Sequence, residues 1–213
     1  MEYGLEQMTL HKVNKTMAAL KQNGINPYFV QTKEEAVALV KQMLRPKEVI
    51  AIGGSKTVEE VGLLDVLRSG DYQFLDRKSP TLTMEEKHQL ERQSFLADTY
   101  ITGTNAVTMG GELYNVDGNG NRVAALNFGP DRVILLVGIN KIVENVVEAE
   151  KRLKTWVSPA LCMSLGRKTP CAVTGVCADC ASPERICNLY SIIRKQRNTN
   201  RMHLIFINDT LGY

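Results

Sequence analysis

Four of the five cysteines, Cys171, Cys177, Cys180 and Cys187, stand in a C-x5-C-x2-C-x6-C spacing within a segment rich in Pro, Gly and small residues. Thiolates repel one another unless a positive centre sits between them, and zinc or an iron–sulfur core supplies one. The competing reading is a pair of disulfides or a set of buried thiols. The start of the chain, MEYGLEQMTL, lacks the basic opening and apolar stretch of an export signal. A cytoplasmic, reducing location is therefore expected, in which disulfides do not persist. Zinc sites usually show two short C-x2-C pairs, and one is present here, which favours an iron–sulfur cluster of the 4Fe-4S kind over zinc. Cys162, nine residues upstream, is a spare ligand or a lone buried thiol. Arg185, Arg194, Lys195, Arg197 and Arg201 form a basic run that either offsets the charge of the thiolates or lies on a solvated helix face.

A second chemistry is anion binding. Gly53-Gly54-Ser55-Lys56-Thr57 follows a short apolar run and precedes a helical pattern. Glycines let a backbone approach a ligand, and a helix start offers free N–H groups to a phosphate or carboxylate. The pattern is neither the phosphate-binding Walker lysine loop nor the three-glycine dinucleotide fingerprint, and a plain strand–helix turn accounts for it equally well. Thr102-Gly103-Thr104-Asn105 also follows a strand. Loops at the carboxyl ends of parallel strands converge on one crevice, so the two together predict one pocket. Gly53, Gly54, Ser55, Thr57, Thr102, Gly103, Thr104 and Asn105 are its expected ligand-binding residues, and a small organic acid or phosphorylated molecule its expected occupant. Glu112, after a Gly pair, is a candidate nucleophile or base, though a lone acid there is more often solvated surface. Residues 117–121 resemble the start of a calcium loop, but Arg122 stands where that loop needs glycine and Phe128 where it needs the bidentate acid. His11, His88 and His203 are scattered, and no serine–histidine or cysteine–histidine signature supports hydrolysis.

The elements that must position these groups read as an alternation. Apolar spacing gives a helix from Leu10 to about Gly24, a strand at residues 26–30 and a helix through Leu44. A buried strand at residues 49–52 feeds the glycine loop, and Thr57-x-x-Glu60 and Thr83-x-x-Glu86 read as capping boxes. Strands are expected at residues 72–75, 100–102, 132–137 and 203–207. A hairpin is expected over residues 112–126, turning at Asp117-Gly118-Asn119-Gly120-Asn121. A helix from Ile142 through Trp156 with Asn140 as N-cap follows, and residues 186–193 form a short helix. The sum is an α/β fold with a mainly parallel sheet flanked by helices, in one domain over residues 1–213. The cysteine-rich segment, residues 162–190, is an insertion before the last strand, too short to fold without metal. At 213 residues, with 44% hydrophobic and 23% charged residues, the chain can bury a full core. A net charge of +3, spread along the chain, gives nucleic-acid binding no support, and no apolar run is long enough for a membrane span.

The stretches VIAIGGSKTVEEVGLLDVL, ADTYITGTNAVTMGGELYN and NRVAALNFGPDRVILLVGINKIV resemble the lactate-utilisation (LUD) domain family over nearly the whole chain. Gly53-Gly54-Ser55 with Thr57, Thr102-Gly103 with Glu112, and Pro130-x-x-Val133 leading into Gly138 and Lys141-Ile142-Val143 carry it. The resemblance implies a fold like that of the glucosamine-6-phosphate deaminase, ribose-5-phosphate isomerase and CoA-transferase group. It also implies a role in bacterial oxidation of lactate to pyruvate beside iron–sulfur redox partners. Smaller members lack the cysteine segment, which looks like that of short-chain members in anaerobes. Three functions follow as expectations: a redox or accessory protein with an anion pocket and an iron–sulfur cluster; a CoA-transferase-like or sugar-phosphate-type enzyme using Glu112 beside a structural zinc; and a non-catalytic subunit docking a partner through its metal lobe.

Overall fold

Two faces of one sheet explain most of the apolar sequence. In a computed structural model describing residues 2–213, α1 (Glu2–Gln22), β1 (Asn26–Val30), α2 (Lys33–Met43), β2 (Val49–Ile52), α3 (Lys56–Glu60), α4 (Leu63–Ser69), β3 (Gln73–Leu75), α5 (Met84–Gln93) and β4 (Thr99–Thr102) come first. Then come β5 (Ala106–Thr108), β6 (Leu113–Asp117), α6 (Asn121–Asn127), β7 (Arg132–Gly138), β8 (Ile142–Val143), α7 (Val146–Arg152), α8 (Ser158–Ser164), α9 (Pro170–Thr174), β9 (Leu189–Ile193) and β10 (Met202–Ile207). Six strands form a parallel sheet in the order β1-β10-β7-β4-β2-β3. Side chains alternate across a strand, so consecutive residues enter opposite cores. Ala51, Val133, Leu135, Val137, Leu204 and Phe206 pack beneath α1 and α6. Ile50, Ile52, Ile134, Leu136, Ile205 and Ile207 pack beneath α2, α3 and α4. Continuous apolar runs of this kind mark strands covered on both faces.

The α/β class and the parallel sheet agree with the expectation, and the Thr83–Glu86 capping box is present. Five local expectations do not hold. Residues 112–126 are not a hairpin. The Asp117 carboxylate accepts from the backbone N–H of Asn119, Gly120, Arg122 and Val123, so the turn that ends β6 starts α6 instead. β6 pairs with β5 and β9 in a second sheet, ordered β8-β5-β6-β9. Residues 186–193 are not helical, because the segment finds a partner strand: Leu189 to Ile193 pair antiparallel with β6.

The long helix expected to start at Asn140 starts instead after Asn145, whose side chain accepts from Glu148 N–H at 3.0 Å. Asn140 accepts from Leu211 N–H, and the chain between them spends Ile142–Val143 pairing with β5. A π turn at Leu153–Val157 then joins α7 to α8. It sends Leu153 and Val157 into the core under the second sheet and leaves Trp156 63% exposed, not on the apolar face. Finally, the cap of α3 is Ser55, not Thr57: Ser55 Oγ accepts from Val58 N–H, while Thr57 is fully buried. The basic run is no helix face either. Arg201 is buried and donates to the carbonyls of Ala125 and Leu126 at the end of α6 and of Pro130 beyond it. No described helix is long and apolar enough to cross a membrane.

Candidate functional site

Strands β2, β4 and β7 are hydrogen-bonded neighbours, so their carboxyl ends deliver three loops to one place. Two glycines let the first two loops touch. A Cβ on Gly53 would lie 2.5 Å from Thr102 Oγ1, and one on Gly103 would lie 2.7 Å from Ser55 Oγ. Gly54 differs: a Cβ there would meet only Arg77, at 3.8 Å, because its face opens into a cavity of about 580 Å³. Gly54, Ser55, Gly103, Thr104 and Asn105 line this cavity, with Val157, Leu161 and Tyr213 on another side. Gly53, Thr57 and Thr102 support the loops from behind and do not line it.

The polar side chains of the second loop serve the scaffold. Thr104 Oγ1 is 3.2 Å from Ala106 O and 3.1 Å from Tyr114 O, and Asn105 Oδ1 accepts from Val116 N–H. The charged groups that face the cavity come from other elements. α3 has five residues, too few for a substantial helix dipole. Arg122, from α6, is 8% exposed yet lines the cavity. Its guanidinium donates to Gly103 O, Asn115 Oδ1, Asn105 Oδ1 and Val116 O at 2.7–3.1 Å. Next to it, Thr102 Oγ1 and Asn115 Nδ2 are buried without a hydrogen-bond partner among the described residues.

Lys141 arrives from the loop after β7. It is 5% exposed, lines the cavity, and donates from Nζ to Thr57 Oγ1 at 2.9 Å. Burial pushes its ammonium down from the ordinary lysine value to about 7, and Arg152 and Arg122 push the same way against Glu60. The rim adds Lys56, Arg77, Lys78, Arg167 and Arg185. Glu59 pairs with Lys56 and Lys78, and Glu91 with Arg77. Asp117 also lines the cavity, but its oxygens are held by backbone N–H groups. Basic side chains therefore outnumber acidic ones in the cavity lining, where Glu59, Asp117 and Glu184 are the acids.

The cysteine segment forms a wall of the same cavity through Pro183, Glu184, Arg185 and Ile186. Arg185 is held in place from behind by the carbonyls of Cys180 and Cys187 and by Asp179. All five thiols are free. Cys162 is hydrogen-bonded to Cys171 and lies within electrostatic reach of Cys187, which in turn feels Cys177 and Cys180. Burial raises the Cys162 and Cys187 thiols, and neighbouring thiols add to the rise. The Arg185 guanidinium opposes it at Cys187. No three His, Cys, Asp or Glu side chains among the described residues stand close enough to close on a metal ion as they are. The donor set nevertheless fits a thiophilic centre in kind: four thiols lie in one segment, Cys162 bonds to one of them, and Asp179 makes a left-handed turn (φ 45°) between Cys177 and Cys180.

Glu112 lies elsewhere. It closes the β5–β6 turn, where Thr108 Oγ1 donates to one carboxylate oxygen at 3.1 Å and Arg194 stands 3.5 Å from the other. It does not line the cavity. His203 stacks on Tyr28, far from any other candidate group in the sequence. Sequence reasoning missed Arg122 and Lys141 as site residues. Lys141 was findable, because it follows the apolar run of β7 just as the glycine loop follows β2. Arg122 carried no local signal, since its partners are brought to it by β4 and β6.

A family model for the LUD domain matches residues 13–207. The chain belongs to the LUD domain family. That family is linked to lactate utilisation. A solved DUF162-family protein from Deinococcus radiodurans, the same family, is 18% identical, with 95% of this chain and 98% of that one covered and a TM-score of 0.51. At that identity the likeness concerns the fold. The structure of eIF2B beta from Chaetomium thermophilum covers 54% of this LUD-family chain and 44% of its own, at 19% identity and a TM-score of 0.35. No curated protein matches.

Proposed function

We propose that this LUD-family protein is a redox or accessory component of organic-acid utilisation that holds a small carboxylate in the cavity and an iron–sulfur cluster on Cys171, Cys177, Cys180 and Cys187. The observation that carries the reading is the shared wall: the segment bearing the thiols also presents Arg185 and Glu184 to a cavity floored by Arg122 and Lys141. An iron–sulfur centre there would accept or pass single electrons next to the bound acid. The chain's own residues attract the anion, orient it against the Gly54–Ser55 backbone and shield it beneath α8. Lactate and pyruvate are the occupants that the family link favours. The CoA-transferase-like or sugar-phosphate reading is weaker, because Glu112, its nucleophile or base, does not line the cavity.

Two measurements test this. Anaerobically purified protein should contain iron and acid-labile sulfide near one cluster per chain, with visible absorption that a Cys177→Ser, Cys180→Ser double variant loses. Stoichiometric zinc without iron would favour the structural-metal alternative, and neither metal would overturn the cluster. Gly54→Val should fold, since a Cβ at that position meets open space, but should weaken carboxylate binding by about tenfold or more in calorimetry. Unchanged affinity for lactate and pyruvate would place the ligand elsewhere.

A further inference from the structure

Lys141 is the buried group that an anion-binding scaffold leaves unexplained. Lysine is almost never fully buried unless paired, and Lys141 has no carboxylate within ion-pair distance among the described residues. Its side-chain partner is Thr57 Oγ1, whose own hydrogen points to Leu211 O at 3.4 Å. With that hydrogen on Leu211 O, Thr57 Oγ1 accepts from the amine. The charged groups facing Lys141 are Arg122 on α6, Arg152 on α7 and the single acid Glu60 on α3, an excess of positive charge that favours the neutral amine. Above it passes Gly212 with φ +61°, where a Cβ would stand 3.2 Å from Nζ and 2.7 Å from Thr57 Oγ1. Glycine there lets the backbone pass this close without a side chain driven against the amine. An amine that is neutral near physiological pH, carries a free lone pair and borders a cavity is equipped as a nucleophile toward carbonyl carbon.

We propose that Lys141 condenses with the ketone carbon of a 2-oxo acid held in this cavity, forming an iminium. The inference rests on the carboxylate-binding reading of the site and adds a covalent step to it. The nitrogen lone pair forms the C–N bond while the carbonyl π electrons move to oxygen. That oxygen leaves as water with two protons, one from the nitrogen and one from solvent, and a protonated C=N remains. No oxidant or reductant is consumed. Arg122 lines the cavity with Lys141 and acts on it electrostatically, so the substrate proposed is one whose anionic group adjoins its carbonyl. A 2-oxo carboxylate carries its charge on the carbon next to the carbonyl, whereas a sugar phosphate carries it at the far end of a carbon chain.

Full-length protein is incubated with pyruvate and cyanoborohydride at neutral pH, and the lysine adducts are mapped by mass spectrometry. The expected result is a reduced pyruvate adduct on Lys141, formed more than about a hundredfold faster than on exposed lysines, whose amines are almost wholly protonated. It should be absent with lactate and with acetone, and absent in Lys141→Arg, whose guanidinium has no neutral amine to attack the carbonyl. Labelling spread evenly over Lys56, Lys78 and Lys141 would overturn the proposal. An adduct formed with dihydroxyacetone phosphate but not with pyruvate would overturn the 2-oxo acid assignment. Pyruvate binding is followed in parallel by calorimetry. Saturable binding without an adduct overturns the covalent step alone; no binding overturns the carboxylate pocket with it. Lys141→Met serves as a second variant if Lys141→Arg does not fold.

Discussion

Arg122→Ala is expected to lower the unfolding temperature by roughly 5–15 °C and to abolish anion binding in the cavity. The guanidinium fills four acceptors at once: two carbonyls, Gly103 and Val116, and two side-chain oxygens, Asn105 and Asn115. Removing it takes a donor from each, although Asn105 Oδ1 keeps the Val116 N–H, at about 1–3 kcal/mol for each acceptor left buried and unpaired. Two effects work the other way. A buried cation carries a desolvation cost that the variant no longer bears, and water from the cavity can reach the acceptors on its side. The net loss is therefore about 2–4 kcal/mol, not the full sum, and for a chain of this size each kcal/mol shifts the midpoint by roughly 2–4 °C. Arg122→Lys should recover part of the anion affinity but little of the stability, because an ammonium cannot reach four acceptors in the plane of a fork. A thermal melt of Arg122→Ala within about 1 °C of the parent would mean that water replaces the guanidinium at no cost.

Lys141→Met is expected to stabilise the fold, and to do so by an amount that depends on pH. The native amine titrates at about 7 and an ordinary lysine at 10.5. Between those values the unfolded chain holds a proton that the native chain has released, so the parent protein gains stability as pH rises through this window. Below pH 7 the amine is charged in both states, and the cost of burying that charge is present in full. Methionine removes this cost along with one hydrogen bond to Thr57. The gain should reach several kcal/mol near pH 6 and shrink steadily toward about pH 10. A difference in melting temperature that stays constant across that range would show that Lys141 is not depressed in the native state. A variant less stable than the parent at every pH would show that the Thr57 hydrogen bond outweighs the buried charge. A group that costs stability where it sits, and that faces the cavity, is the kind of residue retained for chemistry and not for folding.

What the sequence alone determined was the part of the structure built from local pattern. Alternating buried strands and helices specified the α/β class, because an apolar run such as residues 133–137 can be satisfied only when both faces of its strand are covered. The glycine loop and the Thr102–Gly103 loop were legible as neighbours, because parallel strands send their carboxyl ends the same way, and the capping box at Thr83 was legible because its two partners are three residues apart. The spacing of the thiols was equally local. Tertiary structure decided the rest. Leu189 to Ile193 became a strand because β6 offered a free edge, and Asp117 capped a helix because α6 could then pack on the sheet. Only the assembled fold brought Arg122 from α6 and Lys141 from the end of β7 to the glycine loop after β2, and only the fold laid the cysteine segment along the same cavity. The depressed ammonium of Lys141 follows from burial among Arg122 and Arg152, residues 19 and 11 positions away in the chain. A one-dimensional pattern cannot register such a field, because electrostatic neighbours are set by distance in space and not by separation along the backbone.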